Sequence, residues 1–175
     1  MTSLAVTAHH EAGHAVAAVM RGGSSLRSVD MEHAHDGHAT TWHRSKPVDA
    51  PFIAYAGPWA EARYQWPDAI PLDGLDDEGL TFDDHVAGVM LQQSEDAAAV
   101  APNDAQYRAF RQSVADMSAN PPPHYDELVR SVEGSGPYDV WQHELERAWP
   151  AIQAVAARLV AGDHLEDDDV RQLVL

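Results

Sequence analysis

Cysteine is absent from this 175-residue chain. No disulfide, thiolate nucleophile or thiolate metal site can form, so any bound metal must be held by His, Asp or Glu. Positive charge is nearly as scarce. Eleven Lys+Arg stand against 28 Asp+Glu, the net charge is −17, and Lys46 is the only lysine. A surface of that sign repels polyanions, which argues against nucleic acid or an anionic membrane as partner. No apolar run reaches the roughly 18 residues of a membrane span. The N-terminus also lacks the charged and apolar regions of a secretory leader. No membrane insertion is therefore expected, and the cytoplasm is the expected location.

What remains is an ordinary globular balance, 45% hydrophobic and 22% charged, in a length that suits one domain. Residues 1–100 read as the core of that domain and 101–175 as its C-terminal helical part. Ser3 or Thr2 can cap a helix over about 4–21, closed by Gly22-Gly23. Two short antiparallel strands follow at about 26–34 and 39–44, with Asp36-Gly37 as the turn signal. A second helix starts near Pro51 and runs to Gln65, with Gly57-Pro58 expected to kink it. An acidic loop holds Asp73, Asp76, Asp77 and Glu78. Thr81 then caps a third helix expected to continue to about Val100. Further helices are expected at about 104–117, 125–132 and 139–161, the last kinked or restarted at Pro150, and a short amphipathic one at 166–174. The fold class is mainly α with one small β-hairpin.

Eleven histidines in so acidic a chain are the first pointer to function. Two of them belong to His10-Glu11-Ala12-Gly13-His14, a His-Glu-x-x-His pattern inside the first helix. Residues four apart lie one turn up the same helical face, so both imidazoles can converge on one Zn²⁺. Glu11 lies one residue on, turned toward the open coordination position, where it can act as general base on a water. The rest of the helix is apolar, and burying two imidazoles and a carboxylate there without partners would be costly.

The run His9-His10-Glu11-Ala12-Gly13-His14-Ala15-Val16 closely resembles the zinc motif of the FtsH-type proteases, which reads HEAGHA. Their AGRAAEE-like helix is similar to Ala56-Gly57-Pro58-Trp59-Ala60-Glu61-Ala62, with Pro58 in place of the usual arginine. Their capped helix start Ser-Asn-Asp-Leu-Glu-Arg-Ala carries the third zinc ligand. Thr81-Phe82-Asp83-Asp84-His85-Val86-Ala87 looks like it, and Leu165 to Leu173 is comparable with the acidic end of those domains. The resemblance implies an FtsH-peptidase-like zincin helical domain with His10, His14 and Asp83 on Zn²⁺. Asp84 is the alternative third ligand, the other of the pair serving as a cap. Glu61 is either a carboxylate that orients a ligating imidazole or the partner of a nearby Arg63. The chain starts nine residues before the motif. The ATP-driven unfoldase and membrane anchor of that family are therefore not expected, and the chain reads as a stand-alone, ATP-independent peptidase domain.

The expected function is a zinc metalloendopeptidase acting on protein or peptide substrates, with Glu11 as the catalytic group. The competing reading is a non-catalytic, zinc-containing protein-binding module derived from the same fold. A zinc hydrolase acting on another amide is a third. A homo-oligomer or a separate partner protein is compatible with either of the first two. Gly13 and Gly57 are expected to let the first two helices approach closely. His33, His35, His38 and His43 read as polar hairpin surface, with a second metal site as the alternative.

Overall fold

The computed structural model describes residues 3–21, 25–33, 38–47, 49–100 and 138–174. The helices expected at 104–117 and 125–132, the Asp36-Gly37 turn and His35 lie outside the described residues. Helix α1 spans Leu4–Met20, strand β1 Ser25–His33, strand β2 His38–Arg44 and helix α2 Ala50–Gln65. Helix α3 covers Phe82–Gln92 and α4 Ser94–Val100. After the segment outside the description come α5, Tyr138–Val160, and α6, Asp167–Val174. The described chain is thus mainly helical with one two-stranded antiparallel sheet, β1 against β2. None of its described helices is long and apolar enough to cross a membrane.

Helix α1 is the axis of the fold. Ser3 caps it by accepting from the backbone N–H of Val6 at 3.3 Å. From Ala8 to Val19 every residue is buried, because α2, α5, α6 and both strands all pack on it. An alanine-rich helix suits this central place: small side chains let several elements approach one cylinder at once. The closest approach is to α2. A Cβ on Gly13 would stand 2.3 Å from the Ala56 carbonyl oxygen, and one on Gly57 would stand 2.3 Å from Nε2 of His14. The two glycines are reciprocal notches, and each helix fits into the other's.

The sheet covers the remaining side of α1. Thr41 pairs with Val29 and His43 with Leu26, so these four residues share its inner face. Val29 and Leu26 are buried, whereas Trp42, on the outer face, is 63% exposed. Val29 also exchanges backbone hydrogen bonds with Leu165, at 2.9 and 3.0 Å, which ties the entry to α6 onto β1. On α5, Ile152 and Leu159 are buried and Trp141 and Trp149 are packed against the core. Helix α5 runs through Pro150 and α2 through Pro58.

The third helix departs from expectation. It ends at Gln92, its C-cap Gln93 adopts φ −105° and ψ 80°, and a new helix starts at Ser94. That break turns the α4 residues onto α2.

Substituting Gly13→Ala drives a methyl group into the α2 backbone, which a side-chain rotation cannot relieve. Overpacking of this kind costs about 1–3 kcal/mol. Urea unfolding should show a lower midpoint by that amount, and an unchanged midpoint would mean that the two helices are not in such close contact.

Candidate metal centre

His10 and His14 lie on the face of α1 turned to α2 and α4. Each is oriented through Nδ1 by a partner on α2. Nδ1 of His10 donates to Glu61 Oε2 at 2.9 Å, and Nδ1 of His14 donates to the Ile53 carbonyl oxygen at 2.7 Å. With the Nδ1 protons so placed, both Nε2 atoms present lone pairs, and they point at each other across 3.1 Å. The Gly57 notch keeps α2 against the edge of the His14 ring, so the ring cannot swing aside.

The third member of the group is Asp96 on α4. Its Oδ2 lies 3.1 Å from Nε2 of His10 and its Oδ1 3.5 Å from Nε2 of His14. Among the described residues, His10, His14 and Asp96 form the group whose ligand atoms all lie within 4.8 Å of one another. Tetrahedral bonds of 2.0–2.1 Å would put neighbouring donors about 3.4 Å apart. Three mutually facing acceptors at these separations repel one another unless a cation sits among them. The donor set and its spacing therefore suit a divalent ion of the zinc type.

Asp83 and Asp84 are not brought to this group. The Asp83 carboxylate accepts a hydrogen bond from the Gln142 side chain of α5. Asp84 is the return arm of a capping box: it accepts from the Thr81 backbone N–H at 2.9 Å, and Thr81 Oγ1 accepts from Asp84 N–H at 3.1 Å. The expectation rested on a single helix from Thr81 to Val100. Because α3 ends at Gln92, about two turns earlier than that, the acidic residue carried to the histidines is Asp96 in the first turn of α4. A signal for it does exist in the sequence. Ser94-Glu95-Asp96 has the same serine-to-aspartate spacing as the Ser-Asn-Asp segment of the FtsH-type proteases.

Glu11 is buried on the opposite flank of the histidine pair, toward β2. Thr41 Oγ1 donates to Glu11 Oε2 at 2.6 Å and also lies 3.2 Å from the Glu11 carbonyl oxygen. Nothing in the composition singled out Thr41. Glu61 sits on His10, while Arg63 pairs with Glu146 of α5 at 3.2 Å. His9 faces away from the group. Its ring stacks on Tyr64 at 3.9 Å and its Nδ1 donates to the Ala5 carbonyl oxygen at 2.7 Å. The loop residue Asp76 closes a turn onto the N–H groups of Glu78 and Leu80 and pairs with His85 at 2.8 Å.

His43 departs from the expected hairpin surface. Its side chain is half-buried and its Nδ1 is sealed from solvent with no hydrogen-bond partner among the described residues. Burial, reinforced by the His14 ring, holds its pKa below the ordinary histidine value against the pull of Asp96. The side chains of His33 and His38, like all of His35, lie outside the described residues.

Without metal, a proton must bridge the acceptors. Burial opposes charge on His10. The hydrogen bonds to Asp96 and Glu61 and the nearby Glu11 and Asp96 charges outweigh it, lifting His10 to about 9. Burial likewise works against the Asp96 anion, yet its hydrogen bonds with His10 and His14 hold its carboxyl well below the usual carboxylate range. No family model, curated protein or solved structure matches this chain.

The raised His10 value fixes a pH signature. In metal-free protein the folded state holds a proton that the unfolded chain releases near 6.5. The stability it contributes is complete below that pH and is lost as pH rises through about 9. Thermal unfolding of chelator-treated protein should weaken steadily across this window, and His10→Gln should flatten the slope. A flat profile for the parent would show that His10 is not held as an imidazolium between Asp96 and Glu61.

Proposed function

We propose that the protein is a zinc-dependent metallopeptidase of the FtsH-peptidase kind that hydrolyses peptide bonds. The observation that carries the reading is the joint placement of three converging donors, His10, His14 and Asp96, beside a buried carboxylate, Glu11, that is not among them. A site that only braced the fold would have no use for Glu11 at that position. The resemblance of His9–Val16 and Ala56–Ala62 to the FtsH-type segments supports the same assignment.

Zinc at His10, His14 and Asp96 would supply a Lewis acid that polarises a carbonyl and makes water nucleophilic at neutral pH. The chain's own groups do the rest. Glu61 and the Ile53 carbonyl hold the two rings so that Nε2, not Nδ1, faces the ion. Glu11 accepts a proton from the attacking water and returns it to the leaving amine. The Thr41 hydroxyl, by donating to Glu11 Oε2, fixes the carboxylate and leaves its other oxygen for the water. The net charge of −17 favours substrates that are neutral or basic.

Glu11→Gln keeps the shape of the site and removes the proton acceptor. Casein digestion by the zinc-loaded variant should fall by roughly 10²–10⁴-fold, the usual yield of general base catalysis, while its zinc content stays at that of the parent. Chelation should abolish digestion by the parent and added Zn²⁺ restore it. Equal rates for variant and parent would rule out this mechanism. Stoichiometric zinc without any digestion by the parent would instead leave the protein as a zinc-containing binding module.

A further inference from the structure

His43 is the histidine that this chemistry has not used, and its placement relative to the site is specific. Side chains two apart on a strand share a face, and β2 is regular from Thr41 to His43, the irregularity between Leu26 and Ser28 lying on β1. Thr41 reaches Glu11 from that face. His43 therefore projects from the same wall of the site one step further along, close enough for both His14 and Asp96 to bear on it. It is not one of the converging donors, which among the described residues are His10, His14 and Asp96.

The two nitrogens of the His43 ring meet different surroundings. Nδ1 is sealed and has no partner among the described residues, whereas the ring as a whole is only half-buried. A proton on Nδ1 would forfeit every hydrogen bond, while a proton on Nε2 keeps one with solvent or a ligand. The neutral ring thus carries its proton on Nε2. His10 and His14 have the opposite arrangement, with Nδ1–H donating to Glu61 and Ile53. One residue type is set up as acceptor in two places and as donor in a third.

Resting on the peptidase reading above, we propose that His43 is a catalytic residue whose Nε2–H donates a hydrogen bond to the carbonyl oxygen of the scissile peptide as that oxygen gains negative charge. No proton is transferred in this role. The bond is weak to the neutral carbonyl and strengthens with the charge, so it lowers the barrier more than it tightens substrate binding.

The test compares His43→Phe, which keeps a flat ring without a donor, with His43→Gln, whose amide nitrogen reaches about as far as Nε2. Three quantities are read: zinc affinity by competition with a chelator, casein digestion, and binding of a phosphinic analogue of trialanine, whose tetrahedral oxyanion mimics the charged oxygen. His43→Phe should retain parental zinc affinity, lose roughly 10²–10³-fold in kcat with little change in KM, and bind the phosphinate correspondingly less well. His43→Gln should recover a large part of both losses. In long-range nitrogen–proton NMR spectra of the parent, His43 should be protonated at Nε2, and that resonance should move when the phosphinate is added. Unchanged kcat and phosphinate binding in His43→Phe would overturn the proposal. So would a fall in zinc affinity that accounts for the lost activity, since His43 would then be a ligand. A parent that binds zinc but digests nothing would overturn the peptidase reading instead. Phosphinate binding and the Nε2–H resonance still decide the His43 donor in that case.

Discussion

The fit of α1 into α2 is the constraint on which the rest of the structure depends. Gly13 and Gly57 remove the two Cβ atoms that would hold the helices apart, and the resulting contact does more than close a core. It brings Glu61 and the Ile53 carbonyl within hydrogen-bond reach of the two histidine Nδ1 atoms. Those bonds select the tautomer, the tautomer selects which nitrogen faces inward, and the inward nitrogens define where a cation can sit. A helix pair a few ångströms further apart would still bury alanines, but its imidazoles would be free to rotate and the donor set would dissolve.

The electrostatics point the same way. Glu11, Glu61 and Asp96 surround two imidazoles in a largely dry setting. Three carboxylates beside two neutral rings leave an excess of negative charge that low-dielectric surroundings penalise. A divalent cation offsets most of it, and in its absence a proton held on His10 offsets part. Metal and proton therefore compete for one place. The α1 face toward α2 and α4 supplies the ligands, and the face toward β2 supplies Glu11, backed by Thr41. On the proposed peptidase reading, a substrate lying between β2 and the histidines would meet Glu11 on the strand side.

Much of this was legible in the sequence because it is encoded locally. The four-residue spacing of His10 and His14, the Ser3 and Thr81 caps and the β1–β2 pairing each depend on neighbours within a turn or a hairpin, and the structure has them where the spacing puts them. The third donor was not legible in the same way. Asp83, Asp84 and Asp96 all stand in the first turn of a helix, and which of them meets His10 depends on where α3 stops. That stop is made at Gln93, a residue with no glycine or proline signature, so tertiary packing of α4 on α2 decided it. His43 was hidden for a related reason. Its alternation with Trp42 shows that one of the two faces inward, but only the docking of the sheet on α1 shows that the inward face looks onto a charged site.

The most direct measurement of the central claim is zinc affinity, by competition with a chelator of known strength, in Asp96→Asn and Asp83→Asn side by side. A donor set of His10, His14 and Asp96 predicts that Asp96→Asn weakens binding by well over the 10–100-fold typical of an outer partner of a ligand, while Asp83→Asn binds as the parent does. Parental affinity in Asp96→Asn, or a collapse in Asp83→Asn, would contradict the account.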